Sequence, residues 1–378
     1  MKGASTPLGA IVAHGKVIVC CGAGGVGKTT TAASLGLAAA RLGRRVLVLT
    51  IDPSRRLAET LGVARNPPAP VPLPDALSRA AGIAAPGHLD AWMLDPKVVA
   101  DEAVRRLAGT DERARQLLGN RIYQQATTMV ASMHEYTAMK ALHRFVSEDH
   151  YDLIVLDTPP SRNALDFLDA PKRLAGLLDG AILNVFLRPK TGLVNRAASR
   201  LVKQVLNAVF GEQFAAEFAA FIESSAAMVG SLSTDLRQMR ERLARPDVAF
   251  LLVTSPSEAA IVEAHFFHER VLALGLPFRG FILNRSQADT GRVFPEDGHL
   301  PPDTSPALRT GLEKLKRLAR AEFLRSASDR GLLADLALRA GTDAFAMAFP
   351  DLPAGASDIG TLIRIAELIR SERRSGPR

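Results

Sequence analysis

The sequence predicts an α/β protein built on a mostly parallel β-sheet with helices on both faces. Three observations carry that prediction. Short β-branched apolar runs alternate with helix-forming stretches along much of the chain. The runs are continuously apolar, as strands buried on both sides are. The polar residues that suggest chemistry fall where those runs end, the edge at which open α/β sheets bind ligands.

The first run, KVIVCC (16–21), leads into Gly22-Ala23-Gly24-Gly25-Val26-Gly27-Lys28-Thr29-Thr30 and then a helix-forming, alanine-rich stretch. Strand, glycine-rich turn and helix start are the context that a G-x-x-x-x-G-K-[ST] phosphate-binding loop needs. The glycines let successive backbone N–H groups turn inward, and the helix dipole adds positive potential where phosphates lie. In such a loop Lys28 reaches the β- and γ-phosphates, and Thr29 offers its hydroxyl to Mg²⁺. The expected ligand is therefore a nucleoside triphosphate with magnesium.

The second run, RVLVLT (45–50), is followed by Ile51-Asp52-Pro53-Ser54-Arg55-Arg56. Asp52 is expected to face the same site and to orient an attacking water. AWML (91–94) is the next strand. YDLIVLD (151–157) ends in Asp157, the position of a Walker B acid, which holds Mg²⁺ commonly through a water. The following Thr158-Pro159-Pro160-Ser161-Arg162-Asn163 is a proline-stiffened loop placed to sense the γ-phosphate. VAFLLVT (248–254), FRGFILN (278–284) and a weaker DAFAMAF (343–349) complete the strands.

Two long stretches without strand signal, 97–147 and about 170–243, are expected to form a helical subdomain inserted into one 1–378 domain. The proline-rich segments 64–74 and 287–306 are expected to be exposed loops. The closing DIGTLIRIAELIRSERR is amphipathic and basic. It is expected to pack on the sheet, with transient membrane-surface contact as the alternative.

Composition narrows the class. Apolar residues make up 47% and charged residues 23%, an ordinary balance for a soluble globular protein. The net charge of +8 is compatible with anionic partners and proves none, because the basic residues are scattered. No helix-turn-helix or RNA-binding aromatic signature is present, so no nucleic-acid partner is expected. Cys20 and Cys21 are adjacent in one strand, which rules out a disulfide framework or a CxxC zinc site and makes them core fillers. With no apolar run of ~18–20 residues and no cleavable leader pattern, the cytoplasm is the expected compartment.

Taken together, GGVGKTT (24–30), IDPSRRLAETLG (51–62), LDAWMLDP (89–96), LDTPPSRNALDFL (156–168) and FILNR (281–285) resemble one group in order and spacing. That group is the SIMIBI-class, deviant-Walker-A P-loop ATPases, in particular the arsenite-pump and tail-anchored-protein-targeting ATPase family. The resemblance runs from about residue 15 to 370. It implies ATP and Mg²⁺ as cofactors, segments 51–62 and 156–168 as switches I and II, and Asn284 on the adenine base. It also implies a nucleotide-dependent dimer with ATP near its interface, and a helical subdomain that binds a protein client.

The departures are as informative. The family's signature lysine, which reaches across the dimer, falls at the second loop position, where this chain has Ala23. Switch II has Arg162-Asn163 in place of the family's Gly-His. The zinc CxxC of eukaryotic targeting members and the separated cysteines of arsenite pumps are both missing. Three consequences of Ala23 stay open: another cation (Arg55, Arg56 or Arg162) substitutes, the chain hydrolyses slowly and acts as a switch, or it pairs with a lysine-bearing paralogue. Homodimer and heterodimer are thus both expected forms. For the client, Val202, Val205, Leu206, Phe210, Phe214, Phe218, Phe221 and Ile222 recur at helical spacing, as do Met129, Met133, Tyr136 and Met139. They suit an apolar groove or an ordinary core. A small-molecule kinase is the competing class, disfavoured because no acceptor site is recognisable.

Overall fold

The computed structural model describes residues 6–50, 69–94, 134–158, 240–288, 305–352 and 359–370, with 57, 61–63, 67, 105, 110–112, 115, 119 and 238; for 134–140 it describes the backbone. Among these residues, eight strands form one sheet: β1 Val17–Cys21, β2 Arg45–Thr50, β3 Val71–Pro72, β4 His88–Met93, β5 Leu153–Asp157, β6 Val248–Thr254, β7 Phe278–Ser286 and β8 Phe345–Pro350. Their order is β3-β4-β2-β5-β1-β6-β7-β8. Every pairing is parallel except that of β3 with β4. All seven strands expected from the sequence are present.

β3 corrects one expectation. The 64–74 segment does not run wholly as an exposed loop: Val71 and Pro72 pair with Ala91 and Asp90, and Leu73 is buried. The Trp92 indole N–H donates to the Pro67 carbonyl at 2.9 Å. A buried indole needs an acceptor, and the segment supplies it.

Alternate residues of the central strands enter two cores, one on each face. Val17, Val19 and Cys21 pack with Leu47, Leu49, Leu156, Phe250 and Phe281 on one side; Ile18 and Cys20 pack with Val46, Val48, Val155, Leu251 and Ile282 on the other. The first face is covered by α4 (His134–Glu148), α5 (Glu258–Ala273) and the C-terminal part of α6 (Pro306–Ala340), through residues such as Phe145, Phe267 and Leu336. The second is covered by α1 (Pro7–His14), α2 (Lys28–Ala40) and α7 (Ile359–Arg370). A short α3 (Asp75–Ala80) flanks the edge. Insertion 97–147 therefore ends in a helix whose second half lies against the sheet. Residues 170–237 lie outside the described residues, as do the stripe from Val202 to Ile222, Met129 and Met133.

α2 is almost entirely buried, and its alanines let it lie close to the sheet. α7 buries Leu362, Ile365, Ala366 and Ile369 and packs on α2. The closing helix thus packs within the fold as expected, and its apolar side is already covered. Thr6 caps α1 by accepting from Gly9 N and donates its own hydroxyl to the Ile369 carbonyl at 2.6 Å. That bond ties the first helix to the last. Among the described residues no helix is long and apolar enough to cross a membrane.

Candidate functional site

The sheet order puts β1 between β5 and β6, so the loop leaving β1 opens at the centre of the sheet's carboxyl edge. Gly22 starts that loop at φ 149, where a Cβ would lie 2.0 Å from the Val253 carbonyl oxygen. Gly27 closes it at φ 94 as the N-cap of α2, where a Cβ would lie 2.1 Å from Asn284 Nδ2. Neither position accepts a side chain without displacing backbone or the asparagine. Between them Gly24 and Gly25 are exposed, while Ala23 and Val26 turn into the core at 8% and 2% exposure.

Lys28 is buried and donates from Nζ to the Ala23 carbonyl at 2.7 Å. The loop is thus curled round its own lysine, with the α2 N-terminus beneath it. Thr29, one residue on, donates its hydroxyl to Asp157 Oδ2 at 2.7 Å. Asp157 is fully buried at the end of β5, where parallel pairing sets it beside Cys20 of β1. Asn284, at the carboxyl end of β7, donates from Nδ2 to the Val26 carbonyl at 2.8 Å. A side chain 258 residues away in sequence therefore braces the phosphate loop.

Two threonines belong to the frame of the site: Thr50, which sequence reasoning left out, and Thr158, which it read only as the start of a phosphate-sensing loop. Thr50 ends β2 opposite Asp157 in register and donates to the same Oδ2 at 3.0 Å. Thr158 follows Asp157 and donates its hydroxyl to the Cys20 carbonyl at 2.8 Å, pinning the chain just after β5 against β1. The only sequence signal for either was a polar residue closing an apolar strand. Threonine is common enough in strands to hide it.

The donors fit a magnesium ion. Thr29 and Asp157 offer hard oxygen ligands, in contact and at the mouth of a phosphate loop, as Mg²⁺ bound to a nucleotide requires. They fit a soft thiol-seeking ligand poorly. Cys20 and Cys21 are both buried. Burial pushes the Cys21 thiol up to about 12, with the Thr158 hydrogen bond and Lys28 opposing. It pushes Cys20 well above its ordinary value, reinforced by the Asp157 charge. Both stay protonated near neutral pH, so neither supplies a thiolate.

The structure brings together the loop 22–30, Asp157 and Asn284. Asp52, Arg55, Arg56 and Arg162 lie outside the described residues, with Asp52 two residues beyond Thr50 in the chain. Tyr136 and Met139 fall in the part of α4 described by its backbone alone.

Comparison with known proteins agrees with the architecture. The profile of the anion-transporting ATPase family matches residues 15–293. The Streptomyces coelicolor protein named "Uncharacterized protein SCO2128" is 31% identical over 283 residues, which is 75% of this chain and 63% of that protein. The Paramecium tetraurelia "ATPase ASNA1 homolog 1" is 30% identical over 153 residues, 40% of this chain and 42% of that one. The Malassezia globosa "ATPase GET3" is 26% identical over 159 residues, 42% of this chain and 43% of that one. The chain spans less than two thirds of the length of each of these relatives. The phosphate loop, the buried acid at the end of β5 and the long profile match lead to one conclusion: this chain belongs to the anion-transporting ATPase family.

Proposed function

We propose that the chain is a Mg²⁺-dependent ATPase whose nucleotide-driven dimer rearrangement acts on a protein client. The observation that carries this is the contact between Thr29 and Asp157 at the N-terminus of α2, beside a buried Lys28. Lys28 leaves the Ala23 carbonyl and takes the β- and γ-phosphate oxygens. The N–H groups of the loop and of the first turn of α2 hold the remaining phosphate charge. Thr29 and Asp157 are the residues that would hold a magnesium ion, whose charge would offset the negative charge of the phosphates. Asp52 orients the attacking water. Asn284 stands on β7, two strands from β1 toward β8, where it holds the loop and reads the adenine.

Names among the relatives, GET3 and ASNA1, support a client-handling role of the tail-anchored-targeting kind. The protonated, buried cysteines argue against arsenite as a ligand. The compartment proposed is the cytoplasm.

Ala23 supports a second version of the same function. It stands where the family's cross-dimer lysine falls, and its methyl is packed in the core. A trans cation of this type contributes roughly 10³–10⁵ in rate. Its loss makes the chain a slowly hydrolysing, ATP-sensing subunit whose full activity needs a lysine-bearing paralogue. Turnover of the purified chain, alone and as Ala23→Lys, separates the two. Slow turnover that rises at least tenfold in Ala23→Lys supports the deficient subunit. Fast turnover unchanged by the substitution sinks it and leaves the self-sufficient ATPase. No turnover and no ATP binding in either protein would overturn both.

A further inference from the structure

We infer that Thr50 is a positioning residue that holds the Asp157 carboxylate in the orientation magnesium needs. The inference rests on Asp157 being the magnesium acid, as proposed above. β2 reads Arg-Val-Leu-Val-Leu-Thr, with Val46 through Leu49 wholly buried among apolar neighbours. Thr50 is 1% exposed, yet it carries a hydroxyl where valine has the same shape. A buried hydroxyl costs stability unless it is hydrogen-bonded, and this one donates to Asp157 Oδ2 at 3.0 Å.

That oxygen also accepts from Thr29 at 2.7 Å, so two hydroxyls converge on one carboxylate oxygen from neighbouring elements. With magnesium bound the two donors would differ in role: Thr29 would hold the ion through its hydroxyl oxygen while its O–H kept the bond to Asp157, whereas Thr50 would hold no metal. Thr50 sits on a strand whose register with β5 is fixed, Thr50 opposite Asp157. Its bond needs no rearrangement. It therefore fixes the carboxylate plane before and after the metal binds, as the outer partner of a metal ligand does.

The test measures magnesium affinity rather than turnover. Each protein is loaded with ATP in EDTA, and magnesium chloride is then titrated in, with calorimetry as the readout. ATP affinity in EDTA reports that the loop is intact. Thr50→Val, isosteric and at home in β2, is expected to bind ATP normally in EDTA but to need about tenfold more magnesium, the low end of the cost of losing an outer partner. Thr50→Ser, which keeps the hydroxyl, is expected to stay within about twofold of the wild type. Should Thr50→Val fail the EDTA check, Thr50→Ala carries the same expectation. Magnesium affinity unchanged in the hydroxyl-free variant overturns the inference, as does Thr50→Ser behaving like Thr50→Val. Asp157→Asn separates the two levels. If it weakens magnesium while Thr50→Val does not, only Thr50's role falls. If Asp157→Asn leaves magnesium affinity intact, the assignment of Asp157 falls and takes this inference with it.

Discussion

Asp152 precedes β5 by one residue, and Arg45 opens the neighbouring β2. Both carboxylate oxygens of Asp152 are engaged by Arg45: Oδ1 accepts from Nη2 at 2.7 Å, and Oδ2 accepts from the Arg45 backbone N–H at 2.8 Å. These bonds, the side-chain one first, hold the Asp152 carboxyl down to about 2. The sign follows from linkage. A carboxyl whose folded value lies below its unfolded value of about 3.9 stabilises the fold above that value and stops doing so as pH falls through about 2. Its side chain is 37% exposed and its Arg45 partner more so, so salt screens the pair and its contribution is small. Asp152→Asn is therefore expected to lower stability modestly at pH 7. In urea titrations the difference from wild type should narrow progressively below pH about 4 and shrink in high salt. A difference constant from pH 7 to pH 3 would assign the effect to packing instead. At this scale the sequence was uneven. That Lys28, Thr29 and Asp157 would lie together was legible from the phosphate-loop motif and the strand-end acid, whereas Asn284 came only through the family resemblance. Thr50 was not legible, and the bond from Thr158 to β1 was not, because both depend on strand register, which no local spacing encodes.

The elements were more legible than their edges. The central strands β1, β2, β5 and β6 carry continuous apolar runs, and burial on both faces is why those runs are continuous. β3 escaped notice because two residues, one of them proline, carry no periodicity, and its antiparallel pairing with β4 is set by tertiary contact. α7 posed a different question, since an amphipathic basic helix also suits a membrane surface, although packing on the sheet was the expected outcome. Its Leu362, Ile365, Ala366 and Ile369 follow the i, i+3, i+4, i+7 spacing, and all are buried. They pack in the core that includes α2 of the phosphate loop. Ile365 is 2% exposed, so Ile365→Ala removes methyl groups from a filled space and should cost about 2–5 kcal/mol. Thermal unfolding measures this. Because α2 starts at Lys28, the same variant should gain more stability than wild type from saturating MgATP if α7 also steadies the loop. An equal gain in both proteins would confine α7 to scaffolding.

For the whole molecule the open matter is pairing. Each copy carries +8, so two copies repel, and that repulsion extends about one Debye length, ~10 Å at 0.1 M salt. The family's signature lysine would normally place a cation against the partner's phosphates, and Ala23 removes that attraction from both halves of a homodimer. If the chain pairs with itself as proposed, ATP and Mg²⁺ would have to supply the attraction against this like-charge barrier. Asp52→Asn, intended to bind without hydrolysing, isolates that step. With MgATP, light scattering on this variant should show the 40.4 kDa chain doubling in mass, and the doubled fraction should grow as salt rises from low to moderate concentration. The ordering with salt is the diagnostic part. Repulsion between like-charged copies is screened by salt, whereas attraction to an acidic, lysine-bearing paralogue is weakened by it. A mass that stays at one chain across the salt range, but doubles when such a paralogue is added at low salt, would establish the mixed pair and exclude the homodimer as the working form.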